Sequence, residues 1–434
     1  MASQHSSNTE GEDAQEAMIM PDSNEMTYDP DQESARLPAP PYDLNNFPFT
    51  FEQACDTSRS MHIEPDSDPS KSPSYEWDGE SITSSVTAYR EENGRTYHAY
   101  SDGSYHYPND TLELERLDWQ YICLKRLFNG KNYFAPWSQE RPPKRVLDLA
   151  TGTGMWAIEM AEEFESATVI GTDLSPIQPE YVPPNVHFYI HDAFGRCVRA
   201  TYDAMSSLIY NYWFTQMSGG GQILLTISMI RMALGAWEDF EIDVARKAYD
   251  HLEPGGWFEA QELLPTLGCD DGSMPDDWAP NLLFNDLEDC ARRERRPLDI
   301  AKTYKQGLIN AGFVDVSEQV YKIPINGWAK SKNWKTLGDL WNVNCLDAIQ
   351  GVAMALLHRA RGLKRHQIEV DIDFYFPVSL GCDVGLVLTT PQIHLMETRR
   401  GLSDKSVHAY QSCYVVLGRK PLPHEIISTP SEPH

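Results

Sequence analysis

The stretch Arg145-Val146-Leu147-Asp148-Leu149-Ala150-Thr151-Gly152-Thr153-Gly154-Met155-Trp156-Ala157 carries three local signals in a row. Arg145–Leu149 reads as a buried strand, Gly152-Thr153-Gly154 as a tight turn, and Met155–Phe164 as a helix. Glycines in such a turn let the backbone bend sharply and approach a ligand closely. The helix that follows offers free N–H groups and the positive end of its dipole.

Working outward, the same alternation repeats. Thr168–Thr172 and Val186–Ile190 read as further short strands, Ile223–Ile230 as a fourth, and Asp239–Leu252 as a helix. A fifth strand, Trp257–Gln261, follows the turn Glu253-Pro254-Gly255-Gly256. Charged helical residues at Glu288–Arg296, a helix at Ile300–Ala311 and a strand at Val314–Val320 continue the pattern. Residues 333–366 look helical, and Ala409–Leu417 looks like a closing strand. Strands alternating with helices predict an α/β fold: a mostly parallel sheet with helices on both faces. Ahead of it, Leu112–Phe128 has apolar residues at helical spacing.

Composition bounds the rest. The 434 residues carry a net charge of −28, a field that disfavours direct nucleic-acid binding. Eight cysteines lie scattered with no C-x-x-C pair, which points to a reducing compartment rather than a disulfide framework or zinc site. The N-terminus has no secretory pattern and no apolar run is long enough to span a bilayer, so the expectation is a cytoplasmic or nuclear protein, not secreted, with no membrane role. The expected organisation is an acidic disordered tail over 1–85, a Tyr-rich and helical cap over 86–142, and a Rossmann-like core over 143–325. C-terminal helices and the closing strand occupy 326–422, and a flexible tail 423–434.

The residues around the turn suggest a cofactor site. Asp173 stands about 20 residues past the glycines, at a strand end where a carboxylate accepts from ribose hydroxyls. Asp192 follows the third strand and could accept from an adenine amino group. Gly152-Thr-Gly154-Met-Trp-Ala157 also fits the dinucleotide fingerprint, which keeps a nicotinamide or flavin enzyme in competition. Asp148 favours S-adenosylmethionine: it is placed to hold an ammonium group, and it would repel a pyrophosphate. The turn Leu252-Glu-Pro-Gly-Gly256 points the same way.

Taken together, these residues resemble the fungal LaeA-like methyltransferases. The resemblance rests on Glu91-Glu-Asn-Gly-Arg-Thr-Tyr-His98, Leu147–Trp156, Gly171-Thr-Asp-Leu-Ser-Pro-Ile-Gln178 and Val182-Pro-Pro-Asn185. It continues through Arg231-Met-Ala-Leu-Gly235, Pro254-Gly-Gly-Trp-Phe258, Gln261-Glu262, Val407-His-Ala-Tyr410 and Gly418-Arg-Lys420. It implies a seven-stranded class I methyltransferase fold, S-adenosylmethionine as cofactor, and a place in fungal secondary metabolism. The acceptor would be a small molecule; some relatives instead regulate through velvet-type partner proteins. Carried onto this chain, the cofactor residues are Asp148, Ala150, Gly152, Gly154, Asp173 and Asp192. Ala150 departs from the pattern by replacing a glycine, which would be costly if the loop needs φ > 0 there. Segments near 196–221 and 374–394 look inserted, either as lids or as retained introns.

An oxygen or nitrogen acceptor can need a base. His191, Glu259 and Glu262 are the candidates, being near strand C-termini; His98 and Tyr100 could close over the site. No metal site is expected: His187 and His191 lie along a strand, roughly 13 Å apart. Arg292–Arg296 could serve as a nuclear-import patch but reads rather as a solvated helix face, and Gly219–Gly221 reads as loop.

Overall fold

Val146 and Leu147 are chain neighbours, yet they serve different cores. Alternate strand residues face opposite sides of a sheet. Val146 packs with Ile227, Met229 and Trp156 on one side. Leu147 packs with Ile230, Phe258 and Phe240 on the other. A strand buried on both faces is what a parallel sheet between two helical layers requires.

The computed structural model describes residues 88–100, 103–192, 224–368 and 395–426. The acidic tail predicted over 1–85 and the inserted segments near 196–221 and 374–394 lie outside these residues.

In chain order, β1 (Arg90–Glu92) and β2 (Arg95–Tyr97) form an antiparallel hairpin. Its two-residue turn is Asn93-Gly94, both with positive φ (53° and 80°), as a type I′ turn requires. Helix α1 (Thr111–Leu127) is capped by Asp110, whose carboxylate accepts from the Glu113 N–H. The sheet then begins: β3 (Arg145–Leu149), α2 (Met155–Glu163), β4 (Thr168–Asp173), β5 (Val186–Ile190) and β6 (Leu225–Arg231). A π-helical turn, Glu241–Ala245, leads into α3 (Arg246–His251) and β7 (Leu252–Gly268). There follow α4 (Ala279–Arg293), α5 (Tyr304–Ala311), β8 (Val314–Pro324), α6 (Lys332–Arg361), α7 (Arg365–Ile368), α8 (Leu395–Leu402), β9 (Tyr410–Arg419) and α9 (Pro423–Ile426).

Seven strands form one sheet in the order β5-β4-β3-β6-β7-β9-β8. All neighbours are parallel except β9, which is antiparallel to both β7 and β8. The chain leaves β3 toward β4 and β5 on one side, then returns to β6 on the other. That reversal opens a crevice at the C-terminal end of β3, where ligands of such sheets bind. Side chains of α1, α2, α4, α6 and α8 build the core on one face, and the π turn, α3 and α5 that on the other.

Several boundaries differ from the sequence expectations. The predicted strand at Trp257–Gln261 is the middle of a longer one, because β7 and β9 pair from Trp257 to Gly268. The helix predicted over Asp239–Leu252 opens as a π turn, where the Asp243 carboxylate accepts from the Glu238 and Asp239 N–H groups (3.2 and 2.9 Å). The predicted flexible tail starts with α9, whose Glu425 takes two hydrogen bonds from Arg419 (2.9 Å each). Helix α6 is long and apolar enough to cross a membrane by length and composition, with a mean hydropathy of 1.3 over its richest window. Here 61% of that window is buried within the protein; Trp341, Ile349 and Met354 are in the core.

Candidate active site

The turn after β3 is tight enough that three residues have positive φ: Ala150 (56°), Gly152 (58°) and Gly154 (81°). Ala150 therefore does occupy the conformation that makes alanine costly, by about 1–2 kcal/mol. Gly154 meets a second constraint, since a Cβ there would lie 2.4 Å from Phe188 Cζ. Phe188 on β5 presses on Gly171 in the same way, with 2.6 Å to the nearest ring atom. These glycines bring α2, β4 and β5 into contact beneath the turn.

Two carboxylates organise the turn. Asp148 is buried and its Oδ2 accepts from Thr151 Oγ1 (2.5 Å). Burial pushes its pKa up to about 7, against the lowering effect of that bond. Asp173, at the end of β4, accepts from the Gly152 N–H (2.9 Å) and the Ser175 N–H (3.1 Å). Burial pushes it up to about 6. Gln178 secures the turn from outside by donating to the Gly152 carbonyl (2.7 Å).

Asp148, Ala150, Gly152 and Asp173 line a cleft of about 1020 Å³, part of it open to solvent. A smaller recess of about 440 Å³ adjoins it, lined by Ala150, Thr172, Asp173, His191 and Asp192. Tyr105 lines both spaces, so the Tyr-rich segment lies against the site. His98 lines the cleft too. Gly154 lines neither; its contribution is packing under the turn.

The three base candidates are separated. His191 lines the recess, its N–H bonded to the Asp173 carbonyl (2.8 Å), and burial lowers its pKa so that the neutral ring is favoured. Glu259 and Glu262 line neither space. Glu259 Oε2 accepts from the Phe134 and Ala135 N–H groups (2.8 and 2.9 Å), and Oε1 from Gln261 (2.8 Å). Glu262 accepts from the Ala233 N–H (3.1 Å), the Leu263 N–H (3.0 Å) and the Tyr304 hydroxyl (3.2 Å). Both are buried and both have raised pKa values, Glu262 up to about 8. The expected position at a strand end does not hold: both lie mid-way along β7, where they accept from the backbone at Phe134, Ala135 and Ala233.

Sequence reading missed residues from outside the sheet's first half. Glu113 and Arg116 form a buried ion pair (2.7 Å) on α1, and both line the cleft. Arg116 also donates to Asn344 (2.9 Å) and lies 5.8 Å from the Tyr107 ring centre. Arg231, at the end of β6, lines the cleft as well. The one available signal was that these charged residues interrupt otherwise apolar strand and helix faces.

The cofactor expected at such a crevice carries a sulfonium, an amino-acid end and a ribose. The residues present fit it: the Asp148 and Asp173 carboxylates line the cleft beside the turn, and Thr172 Oγ1 beside the recess is buried with no partner among the described residues. At the turn itself a pyrophosphate would meet the Asp148 carboxylate.

A methyltransferase-domain family model matches residues 119–318. The chain is 31% identical over 292 residues to "Methyltransferase pytC" of Aspergillus terreus, covering 67% of this chain and 82% of that one. It is 30% identical over 335 residues to "Secondary metabolism regulator LAE1" of Cochliobolus heterostrophus, covering 76% and 94%. It is 29% identical over 357 residues to "Protein-methionine methyltransferase laeA" of Emericella nidulans, covering 82% and 81%. Fold, site and family model together define a class I S-adenosylmethionine-dependent methyltransferase. Within that class, the chain belongs to the LaeA-like methyltransferase family.

Proposed function

We propose that this methyltransferase acts on a small-molecule acceptor of fungal secondary metabolism. In this reading Asp173 takes the ribose hydroxyls, Asp148 the ammonium group and Asp192 the adenine amino group. The observation that carries it is the pairing of buried Asp148 and half-buried Asp173 in the lining of one cleft, both with oxygen lone pairs left for a ligand. When bound, the donor supplies a methyl group on a sulfonium, already a good leaving group. The chain's own task is then alignment and exclusion of water. Tyr105 and Tyr107 line the cleft, and the buried Glu113–Arg116 pair gives its wall fixed charges. His191, neutral by burial, is available as a proton acceptor on the recess side.

The test is transfer of a labelled methyl group. Purified protein with methyl-labelled donor and a metabolite extract should yield a small molecule one methyl heavier. Label entering only a protein would overturn the acceptor class.

A second reading draws on the relatives named as regulators of secondary metabolism. Here the chain would act through a velvet-type protein partner. Recovery of such a complex from nuclei, with metabolite methylation unchanged on gene deletion, would favour it. A cytoplasmic or nuclear location suits either reading; support comes from Cys123, Cys269, Cys290, Cys345 and Cys413, all free thiols.

A further inference from the structure

At the end of β6, the Arg231 side chain lies in the wall of the larger cleft. Its Nε, Nη1 and Nη2 are shut off from solvent and have no acceptor in good hydrogen-bond geometry among the described residues; the neutral Tyr121 hydroxyl is the one side-chain group close enough to act on it as a weak partner. The Tyr121 ring packs on it, its centre 4.7 Å from Cζ, while the Tyr121 hydroxyl donates to Asn132. After burial, the groups acting on the guanidinium are Tyr121, Cys413, Asp148 and Glu259, of which only the last two are carboxylates. Glu259 is already filled by two backbone N–H groups and Gln261. Asp148 accepts from Thr151.

The backbone beside Arg231 is held against its preference. Met232 has φ 56°, a conformation that is strained for a bulky side chain. It persists because the Met232 N–H bonds the Gln261 carbonyl (2.9 Å) and the Ala233 N–H bonds Glu262 (3.1 Å). The direction in which Arg231 leaves the strand is thus fixed by neighbours on β7.

A buried guanidinium with no anion hydrogen-bonded to it is costly to keep. It would also repel a sulfonium brought into the same cleft. A ligand that carries its own anion removes both penalties. We infer that Arg231 binds a carboxylate, the α-carboxylate at the methionine end of the donor. Asp148 and Arg231 then present a minus and a plus to the plus and minus of one amino-acid group. A guanidinium matches a carboxylate through paired N–H bonds, which a lysine cannot reproduce. This assignment rests on the donor reading above.

The test compares intact S-adenosylmethionine with its decarboxylated form, which keeps the ammonium and sulfonium. Binding of each is measured by calorimetry on the full-length wild type, Arg231→Met and Arg231→Lys, with melting curves for all three. The wild type should prefer the intact donor by about 30-fold or more. Arg231→Met should lose that preference and bind the decarboxylated donor at least as well as the wild type does. Arg231→Lys should retain part of it. An Arg231→Met protein with the wild-type preference overturns the inference. Should that variant fail to fold, an unchanged preference in Arg231→Lys, or no preference in the wild type, overturns it instead. A wild type that binds neither form breaks the donor reading itself; one that binds both equally breaks only the role of Arg231.

Discussion

Two pairs of carboxylates, one at the C-terminal ends of β3 and β4 and one mid-way along β7, differ in what fills them. Asp148 and Asp173, on β3 and β4, line the cleft and spend their bonds on the turn (Thr151, Gly152) and on Ser175 just past β4. Glu259 and Glu262, on β7, are away from the cleft and take three bonds each, two of them from distant segments and one from a neighbour on the same strand. All four have raised pKa values through burial. A shifted pKa therefore does not separate a ligand-binding carboxylate from one that holds the fold; unused lone pairs facing a cleft do.

The comparison can be broken from either side. The largest expected effect is on Asp173→Ala, which should weaken donor binding about 100-fold, read by calorimetry. Loss of a charged acceptor from a desolvated site is of that size; unchanged affinity would remove Asp173 from the donor site. Next, Glu259→Ala leaves the Phe134 and Ala135 N–H groups unmet, so stability should fall by about 2–4 kcal/mol in denaturant unfolding. Donor affinity of the folded fraction should change far less than for Asp173→Ala. The reverse ranking would mean that the two pairs have exchanged roles.

Acid–base behaviour sharpens the contrast. Below about pH 4, Asp148 is protonated in both folded and unfolded chains. As pH rises, the unfolded carboxyl releases its proton first, while the folded one holds on up to about 7. Rising pH between 4 and 7 thus favours unfolding of the ligand-free protein through this group. Donor binding should run the other way, tightening as pH rises from about 6 to 7.5 because the ionised carboxylate is the form that holds an ammonium. Asp148→Asn should flatten that binding profile. The smallest effect is on Ala150→Gly, which relieves positive φ but gains unfolded-state freedom. A net stabilisation of about 0.5–1 kcal/mol is expected, and a loss of stability would show that Ala150 is not strained.

The cofactor turn was legible in the sequence because every signal for it is local. Strand, glycines and helix follow one another between Arg145 and Phe164, and the sheet around them follows from alternation. Asn93-Gly94 was legible too, since it is a hairpin signal, but its flanking strands have only three residues each and little apolar alternation. The work of Glu259 was hidden because its N–H partners are 124 and 125 residues away in the chain. Arg231 was hidden for a different reason: what marks it is that the three-dimensional structure hydrogen-bonds no anion to it among the described residues. Nothing in its neighbours Ile230 and Met232 signals that.

The most direct test of this account is donor affinity and thermal unfolding measured together for Asp148→Asn, Asp173→Asn and Glu259→Gln. The first two should lose S-adenosylmethionine binding while melting close to the wild type, and the third should melt lower while still binding. Equal donor affinity across all three variants and the wild type would contradict the assignment of the cleft.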